Sequence, residues 1–298
     1  MTTLGLKIAL AVGYNLDVRE PLVQEFGAEL RAYKASTMRE DPRRRLDEFG
    51  LDFRKVMHLP WIASAFHQFG RHVRRLTQLV AEIVRRQPWA DPTRQGWVQL
   101  LWEAGLRGPA LTCELNHLYG AFTAADYITT CALAELAHAP EWTARLRAGL
   151  GAADSADGAP EPVEAIIREV ARRYPVAMVI FRELGAPMEL GGELFPAGTL
   201  VMVLPYALHH DAALWDCPLA FDPGRWQREI PARTLAAYEP FLRGPRRCIG
   251  QDFVRQQLRV VLSALLRRHE LSLAARPVVN SFIVPRLAVP LPFHFRRL

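Results

Sequence analysis

The sequence contains little cysteine. Its 298 residues include only four cysteines, at positions 113, 131, 217 and 248, and no two of them form a CxxC pair. Disulfide frameworks and structural zinc sites need several cysteines at characteristic spacings, so neither is predicted. Cys113, Cys131 and Cys217 stand in apolar or mixed surroundings, and we interpret them as small buried residues. Cys248, between two glycines and behind three arginines, needs a different explanation.

Long hydrophobic runs are also absent. The most apolar stretch near the start, LGLKIALAVGY, is too short to cross a bilayer and contains Lys7. No small-residue cleavage site follows it, and Asp17, Arg19 and Glu20 come soon after, which argues against a secretory signal. We therefore expect a cytoplasmic protein with no membrane anchor.

Acidic residues are outnumbered by basic ones, 31 against 37, and the formal net charge at pH 7 is +6. The excess is mostly arginine, in short scattered clusters such as DPRRRL and HVRRL. Because no zinc-finger, RNA-recognition or basic-zipper pattern accompanies these clusters, no nucleic-acid partner is predicted. Two interpretations stay open, a solvated basic face and a docking surface for an acidic protein.

Hydrophobic periodicity predicts a mainly α fold with a minor β part. Residues 64–86 place apolar side chains at helical spacing, and residues 110–138 predict a helix about 45 Å long. The Gly-, Ala-, Asp- and Pro-rich residues 149–162 predict a linker. After Pro175, short β-prone runs alternate with Gly and Pro turn signals, which predicts a hairpin. The segment that follows Cys248 predicts another amphipathic helix.

The segment FLRGPRRCIG gives Cys248 unusual surroundings for a packing residue. Gly244 and Gly250 permit positive φ angles and let another surface approach the backbone. A helix predicted to begin at about Gly250 presents a partially positive N-terminus, which favours a negatively charged ligand such as a thiolate. One thiolate cannot complete a zinc site, but it suits haem iron, and Arg246 could pair with a haem propionate. From these residues alone, a metal-binding thiolate and an inert buried cysteine both stay open.

The same segment fits the pattern F-x-x-G-x-R-x-C-x-G at every fixed position: Phe241, Gly244, Arg246, Cys248 and Gly250. It resembles the haem-binding loop of the cytochrome P450 family, the haem-thiolate monooxygenases. The resemblance implies that Cys248 is the metal ligand of a haem b cofactor. It also implies that the other four residues belong to the cofactor-binding loop.

Two further segments extend the resemblance. EVARRYP resembles the E-x-x-R helix of the family, with Glu169 and Arg172 on one helix face, and FDPGRW is similar to the segment that supplies a second arginine, here Arg225. The resemblance implies a buried charge network of structural, not catalytic, importance; taken alone, the E-x-x-R pair would be an ordinary surface pair. Arg182 matches a position that commonly meets the second haem propionate, and an exposed strand-end arginine is the alternative.

The long helix departs from the family pattern where oxygen is activated. Thr123 stands where the family has an acid, and Ala124 stands where it has an alcohol; in the family that pair relays protons to iron-bound dioxygen. Asp126 with Thr129 or Thr130 offers an acid and a hydroxyl about one turn later, but we interpret these as helix-packing residues. Proton delivery could instead come from water, from Thr123 or from a substrate hydroxyl, and peroxide would bypass the relay.

Several apolar residues match the substrate-facing segments of the family. They are Ala121, Phe122, Val176, Val179, Phe282 and Ile283. Their character predicts a hydrophobic small-molecule substrate, and ordinary core packing is the alternative.

Taken together, the resemblance implies a monooxygenase with a P450-like fold that is N-terminally incomplete and forms one domain, 1–298. Residues 1–108 would approximate the helices over the substrate, and residues 109–298 would hold the long central helix, the haem-binding core and the C-terminal strands. Since the sequence has no G-x-G-x-x-G loop and no Fe–S cysteine set, electrons would come from a separate ferredoxin- or flavin-type donor. Two other functions stay open. The Thr123–Ala124 pair would suit a peroxide-driven or non-oxygenase haem-thiolate enzyme, and the missing N-terminal part would suit a catalytically silent haem-binding remnant.

Overall fold

The computed structural model describes residues 19–39, 60–86, 96–152, 161–280, 286–287 and 291–298. The chain divides into two compact units, and the boundary lies between Thr123 and Ala124, inside the longest helix. Within the described ranges, none of the helices combines the length and the hydrophobicity that a membrane span requires.

The first unit is helical in its described part. Its helices are α1 (Pro21–Arg39), α2 (Pro60–Arg86), α3 (Trp97–Glu103) and the first half of α4 (Gly108–Ala137). The helix predicted for residues 64–86 is confirmed, and it begins four residues earlier. Its apolar face packs with α1 around a core that contains Phe26, Leu76, Val80 and Ile83.

Helix α4 is 30 residues long, which corresponds to about 45 Å. Its predicted bounds, 110–138, are confirmed to within two residues. From Ala125 to Leu136 almost every side chain is buried, as expected for a helix that is hydrophobic on most of its faces. The next helix begins at Pro140, after the two connecting residues His138 and Ala139.

The second unit holds the remaining helices, which are α5 (Pro140–Ala152), α6 (Glu161–Arg173), α7 (Pro205–His209), α8 (Ala232–Ala236) and α9 (Gln251–Leu266). Helix α9 is the amphipathic helix predicted after Cys248. The linker predicted for residues 149–162 is too long at both ends, because α5 continues to Ala152 and α6 already begins at Glu161. Pro162 did not prevent helix formation, since the first helical turn tolerates proline.

The described strands form four two-stranded antiparallel sheets. They pair β1 (Ile180–Glu183) with β4 (Leu200–Val203), β2 (Met188–Leu190) with β3 (Glu193–Phe195), β5 (His269–Ser272) with β8 (His294–Arg297), and β6 (Val279–Asn280) with β7 (Arg286–Leu287). Gly191 and Gly192 turn the β2–β3 hairpin at φ angles of 62° and 86°, which favour glycine. The prediction of a mainly α fold with a minor β part is confirmed.

Candidate active site

The cysteine segment ends in a constrained turn just ahead of α9. Gly244 has a φ of +65° and opens a short 3-10 helix, Gly244–Arg246. The backbone N–H of Cys248 then donates to the carbonyl oxygen of Phe241 at 2.8 Å. Leu242 also has a positive φ, +61°, which costs a non-glycine residue about 1–3 kcal/mol and requires support from its surroundings. The turn therefore holds Cys248 three residues before Gln251, the first residue of α9, with Gly250 as the helix N-cap.

The Cys248 thiol is exposed and forms no disulfide. The next residue, Ile249, is 94% exposed, which is unusual for a large apolar side chain. A Cβ atom built on Gly250 would lie 3.7 Å from the Cys248 sulfur, so the glycine leaves the approach to the sulfur uncrowded. Cys248 is therefore not a buried residue, which argues against the alternative of an inert buried cysteine.

The other cysteines differ from the prediction. Cys131 is buried in α4, as expected, and burial raises the pKa of its thiol. Cys113 and Cys217 are exposed, so their interpretation as buried residues was wrong. Cys113 lies beside the exposed Glu114 on the outer side of α4, and Cys217 occupies a turn with a φ of +44°. Local sequence surroundings did not distinguish these positions from core positions.

The charge network predicted from three separated residues is present. The carboxylate of Glu169 accepts hydrogen bonds from Arg172 Nε at 3.0 Å and Nη2 at 2.9 Å, and from Arg225 Nε at 3.1 Å. It also accepts from the Trp226 indole N–H at 3.0 Å and from the Asp222 backbone N–H at 3.1 Å. Glu169 and Arg172 are fully buried and Arg225 is 6% exposed. One carboxylate thus receives five donors in a site shielded from water.

The two arginines of the network also bind backbone carbonyl groups. Arg172 donates to His209 O at 2.6 Å and to Ala220 O at 3.2 Å. Arg225 donates to Asp216 O at 3.0 Å. Because these acceptors lie between residues 209 and 220, the network fixes helix α6 to the irregular stretch that precedes the cysteine segment.

Sequence reasoning missed His209, which connects the network to the cysteine segment. This residue is fully buried, and its ring nitrogens contact the Arg172 carbonyl oxygen at 3.0 Å and the Glu239 backbone nitrogen at 2.9 Å. Burial lowers the pKa of His209 to about 3. The pair His209–His210 was visible in the sequence, but nothing local to it indicated that the first ring is buried and bonded at both ends.

A second buried carboxylate was also missed. Glu135, on α4, accepts from Arg276 Nη1 at 2.7 Å, forms an ion pair with Arg173 at 3.2 Å, and accepts from the Tyr174 hydroxyl. Burial raises the pKa of the Tyr174 hydroxyl. Arg173 and Tyr174 follow Arg172 directly, so consecutive residues at the end of α6 contact two buried carboxylates, Glu169 and Glu135.

The two arginines proposed for haem propionates are both exposed. Arg182 lies on β1, and its Nη1 donates to the carbonyl oxygen of Phe181 at 2.8 Å. Arg246 ends the 3-10 helix that precedes Cys248. Both guanidinium groups are accessible to an anionic group.

The proposed oxygen-activation positions lie within α4. Ala124 is half-buried, and the side chain of Thr123 lies outside the described part of the molecule. The displaced candidates are buried: Thr129 donates its hydroxyl to Ala125 O at 2.7 Å, and Thr130 donates to Asp126 O at 2.7 Å. Because both hydroxyl protons are engaged within the helix, this geometry favours the interpretation as helix-packing residues.

The candidate substrate residues are only partly described. Val179 is buried and Val176 is half-buried, just ahead of β1. Phe282 and Ile283 lie outside the described residues, and the side chains of Ala121 and Phe122 lie outside them as well. Their grouping around a substrate stays a prediction.

Comparison with known proteins places this site in a family. The model of the cytochrome P450 family matches residues 127–291, which is more than half of the chain. The chain belongs to the cytochrome P450 family. The matched region contains Glu169, Arg172, Arg225 and Cys248, so all four lie in the part of the chain that carries the P450 signal.

Relatives within the P450 family match part of their own length. Cytochrome P450 734A6 of Oryza sativa subsp. japonica is 33% identical over 200 residues, which cover 62% of this chain and 37% of the relative. Cytochrome P450 4B1 of Rattus norvegicus is 39% identical over 109 residues, which cover 36% of this chain and 21% of the relative. The chain thus spans well under half the length of these curated P450 relatives.

The solved structure of retinoic acid bound cyanobacterial CYP120A1 matches the whole chain with a TM-score of 0.81. The match covers 68% of that structure, at 19% sequence identity. At this identity the likeness concerns the fold, and it confirms the P450-like fold that the motifs implied.

Proposed function

We propose that the protein is a haem-thiolate monooxygenase in which Cys248 would hold the iron of a haem b. The observation that carries the proposal is the exposed Cys248 thiol, which a constrained turn presents three residues before the start of helix α9. The proposed reaction inserts one oxygen atom from dioxygen into a hydrophobic small molecule.

The residues around Cys248 fit a haem. The macrocycle fills four coordination positions, so one protein thiolate is a sufficient anchor. The exposed Ile249 offers an apolar surface beside the sulfur, and Gly250 leaves the sulfur accessible. Arg246 and Arg182 are exposed guanidinium groups of the kind that pair with carboxylates, so they are our candidates for the propionates.

When bound, a haem with a thiolate ligand activates oxygen, because the thiolate pushes electron density that favours O–O cleavage. The chain's own contribution is to hold that thiolate in place. Helix α9 begins three residues after Cys248, so the partial positive charge of its N-terminus lies next to the cysteine segment. The buried Glu169 network restrains the stretch from which the Cys248 segment departs.

The substrate and the electron donor are proposed from the surfaces of the chain. Val176 and Val179, with the other apolar residues predicted for the pocket, favour a hydrophobic substrate. For the donor we propose an acidic ferredoxin- or flavin-type protein. It would dock on a basic surface where Arg168, Arg255 and Arg259 surround a single carboxylate, Glu164.

A peroxide-driven reaction is the second candidate, and Ala124 is the observation that favours it. Alanine carries no hydroxyl for a proton relay at the position where the family has an alcohol. Asp126 and Thr130 do not replace it readily, since the Thr130 hydroxyl donates to the Asp126 backbone. Peroxide brings both oxygen atoms and the required protons, so it needs no relay.

The test is the absorption spectrum of the reduced, CO-treated protein after addition of haem. We expect a red-shifted Soret band typical of thiolate ligation in the wild type. The band should disappear in Cys248→Ala and persist in Cys217→Ala, which removes another exposed cysteine of the same unit. A band that survives in Cys248→Ala would overturn the ligand assignment, and no haem uptake by the wild type would favour a silent remnant.

Turnover then separates the two enzymatic candidates. The haem-loaded protein is assayed on a panel of hydrophobic compounds, once with a reductase system and dioxygen and once with hydrogen peroxide. The monooxygenase proposal expects product with the reductase system. Product with peroxide alone would favour the second candidate.

A further inference from the structure

His209 ends the short helix α7 and is bonded at both ring nitrogens. Its Nε2 lies 2.9 Å from the Glu239 backbone nitrogen, and its Nδ1 lies 3.0 Å from the Arg172 carbonyl oxygen. A backbone N–H can only donate, so Nε2 must be the acceptor. Nδ1 therefore carries the ring proton and donates to Arg172 O. The two contacts together fix one neutral tautomer.

On one side, His209 is bound to the charge network by two hydrogen bonds that run in opposite directions. The His209 ring donates to the Arg172 carbonyl, and the Arg172 guanidinium donates to the His209 carbonyl at 2.6 Å. Arg172 is itself held by two hydrogen bonds to Glu169. The ring is therefore fixed relative to helix α6.

On the other side, His209 holds the start of the cysteine segment. The Glu239 carbonyl accepts from Leu242 N–H at 3.3 Å, and the Glu239 carboxylate pairs with Arg243. The Phe241 carbonyl accepts from Cys248 N–H at 2.8 Å. Glu239 thus begins a series of short-range backbone contacts that ends at the cysteine.

Burial keeps the His209 ring in the state that this arrangement needs. A protonated imidazole has no acceptor, so it could not receive the Glu239 N–H. Burial lowers the pKa of His209 to about 3, and the charges of Arg172 and His210 act in the same direction. The neutral acceptor form is therefore maintained well below neutral pH.

We propose that His209 is the positioning residue that couples the buried Glu169 network to the Cys248 segment, through its Nε2 acceptor for the Glu239 N–H. The inference rests on the proposed function only for the role of Cys248 as haem ligand. The proposal assigns the coupling to one atom, the His209 Nε2. A histidine that only filled space would not need a hydrogen bond at either ring nitrogen.

Two substitutions separate the two ring contacts. In His209→Gln the amide reaches the position of Nε2 and can accept from Glu239, whereas in His209→Asn the amide reaches the position of Nδ1 and keeps the contact with Arg172. His209→Leu keeps neither contact. His210→Gln is the matched control, since the neighbouring His210 ring contacts the Tyr206 carbonyl instead, at 2.8 Å.

The first measurement is hydrogen exchange of the Glu239 amide in the purified chain. We expect exchange to accelerate about tenfold or more in His209→Asn and His209→Leu, because the amide loses its acceptor. Exchange in His209→Gln and His210→Gln should stay near the wild-type rate. Equal exchange in all four variants, or exchange in His209→Gln as fast as in His209→Asn, would overturn the proposal.

The second measurement is the thiolate Soret band of the haem-loaded, reduced and CO-treated variants. We expect His209→Asn to lose a larger fraction of the band than His209→Gln at the same protein concentration, although both variants lose the same ring. If the wild type takes up no haem, the proposed function fails, and the amide-exchange comparison still decides the role of His209. A band that is intact in His209→Asn and His209→Leu would refute the coupling to Cys248.

Discussion

Removing the charge of Glu169 should be among the most damaging conservative changes in the chain. Glu169→Gln keeps the shape of the side chain but replaces one acceptor oxygen with an NH₂ group. That group would face donors from Arg172, Arg225 and Trp226, all within 3.1 Å of the present carboxylate. Two buried guanidinium groups would then lack their counter-charge. Breaking a buried pair in this way costs about 3–5 kcal/mol of the free energy of unfolding.

The size of that loss depends on the burial of Glu169, and a more exposed glutamate on the same helix provides a comparison. Glu164 also lies on α6 and is surrounded by Arg168, Arg255 and Arg259, at 3.1–3.8 Å. Its side chain is 30% exposed, whereas that of Glu169 is fully buried. Because water screens an exposed pair, Glu164→Gln should cost less than about 1 kcal/mol. The matched variants therefore differ in burial more than in local charge.

The assay is urea unfolding followed by tryptophan fluorescence. Trp215 lies 5.3 Å from the Arg172 guanidinium carbon and Trp226 donates to Glu169, so both indoles report on the network. Most domains have an unfolding free energy of about 5–15 kcal/mol, so a loss of about 3–5 kcal/mol would remove a large part of the stability. If Glu169→Gln and Glu164→Gln shift the unfolding free energy equally, the network is no stronger than a surface pair and the reasoning fails.

Three further results are expected. Because the pKa of His209 is about 3 in the folded chain and about 6.5 ordinarily, the unfolded chain binds a proton that the folded chain excludes. The free energy of unfolding should therefore fall as the pH drops below about 6.5, by about 2 kcal/mol at pH 5. Urea unfolding of His209→Gln should lack this part of the pH dependence. Gly244→Ala should lower the free energy of unfolding by about 1 kcal/mol or more, because the φ angle of Gly244 is +65°. Gly250→Ala should be nearly neutral in the same assay, because the φ angle of Gly250 is −85°. Equal effects of the two substitutions would contradict the turn geometry. Thr129→Val should cost about 1–3 kcal/mol in thermal or urea unfolding, because the buried Gln257 amide loses its acceptor at 3.3 Å, and no loss would show that this hydrogen bond contributes nothing.

The helices were predictable because their signals are local. The spacing of apolar residues indicated α2, and the long apolar run without proline indicated α4, each to within a few residues. The cysteine turn was predictable for a similar reason, because its glycines and Cys248 lie within seven residues. The cytoplasmic location, the single domain and the redox partner stay predictions.

The contacts that complete the site were not predictable, because they join distant parts of the chain. His209 lies 30 residues before Glu239 and 37 residues after Arg172, and no periodic pattern relates such positions. The prediction that single small residues are buried failed for the same reason. Cys113 and Cys217 stand in mixed sequence surroundings, and their exposure depends on which side of a helix or turn faces outward.

The limits of spacing are clearest where one spacing gives two outcomes. Glu82 and Arg85 on α2 have the same E-x-x-R spacing as Glu169 and Arg172, and both pairs form ion pairs. The Arg85 side chain is 74% exposed, whereas that of Arg172 is fully buried. The pairs differ in their partners, since only the second has a distant arginine, Arg225, on the same carboxylate among the contacts described for these residues. Spacing therefore predicts that the two side chains meet, and tertiary packing decides whether the pair holds the structure together.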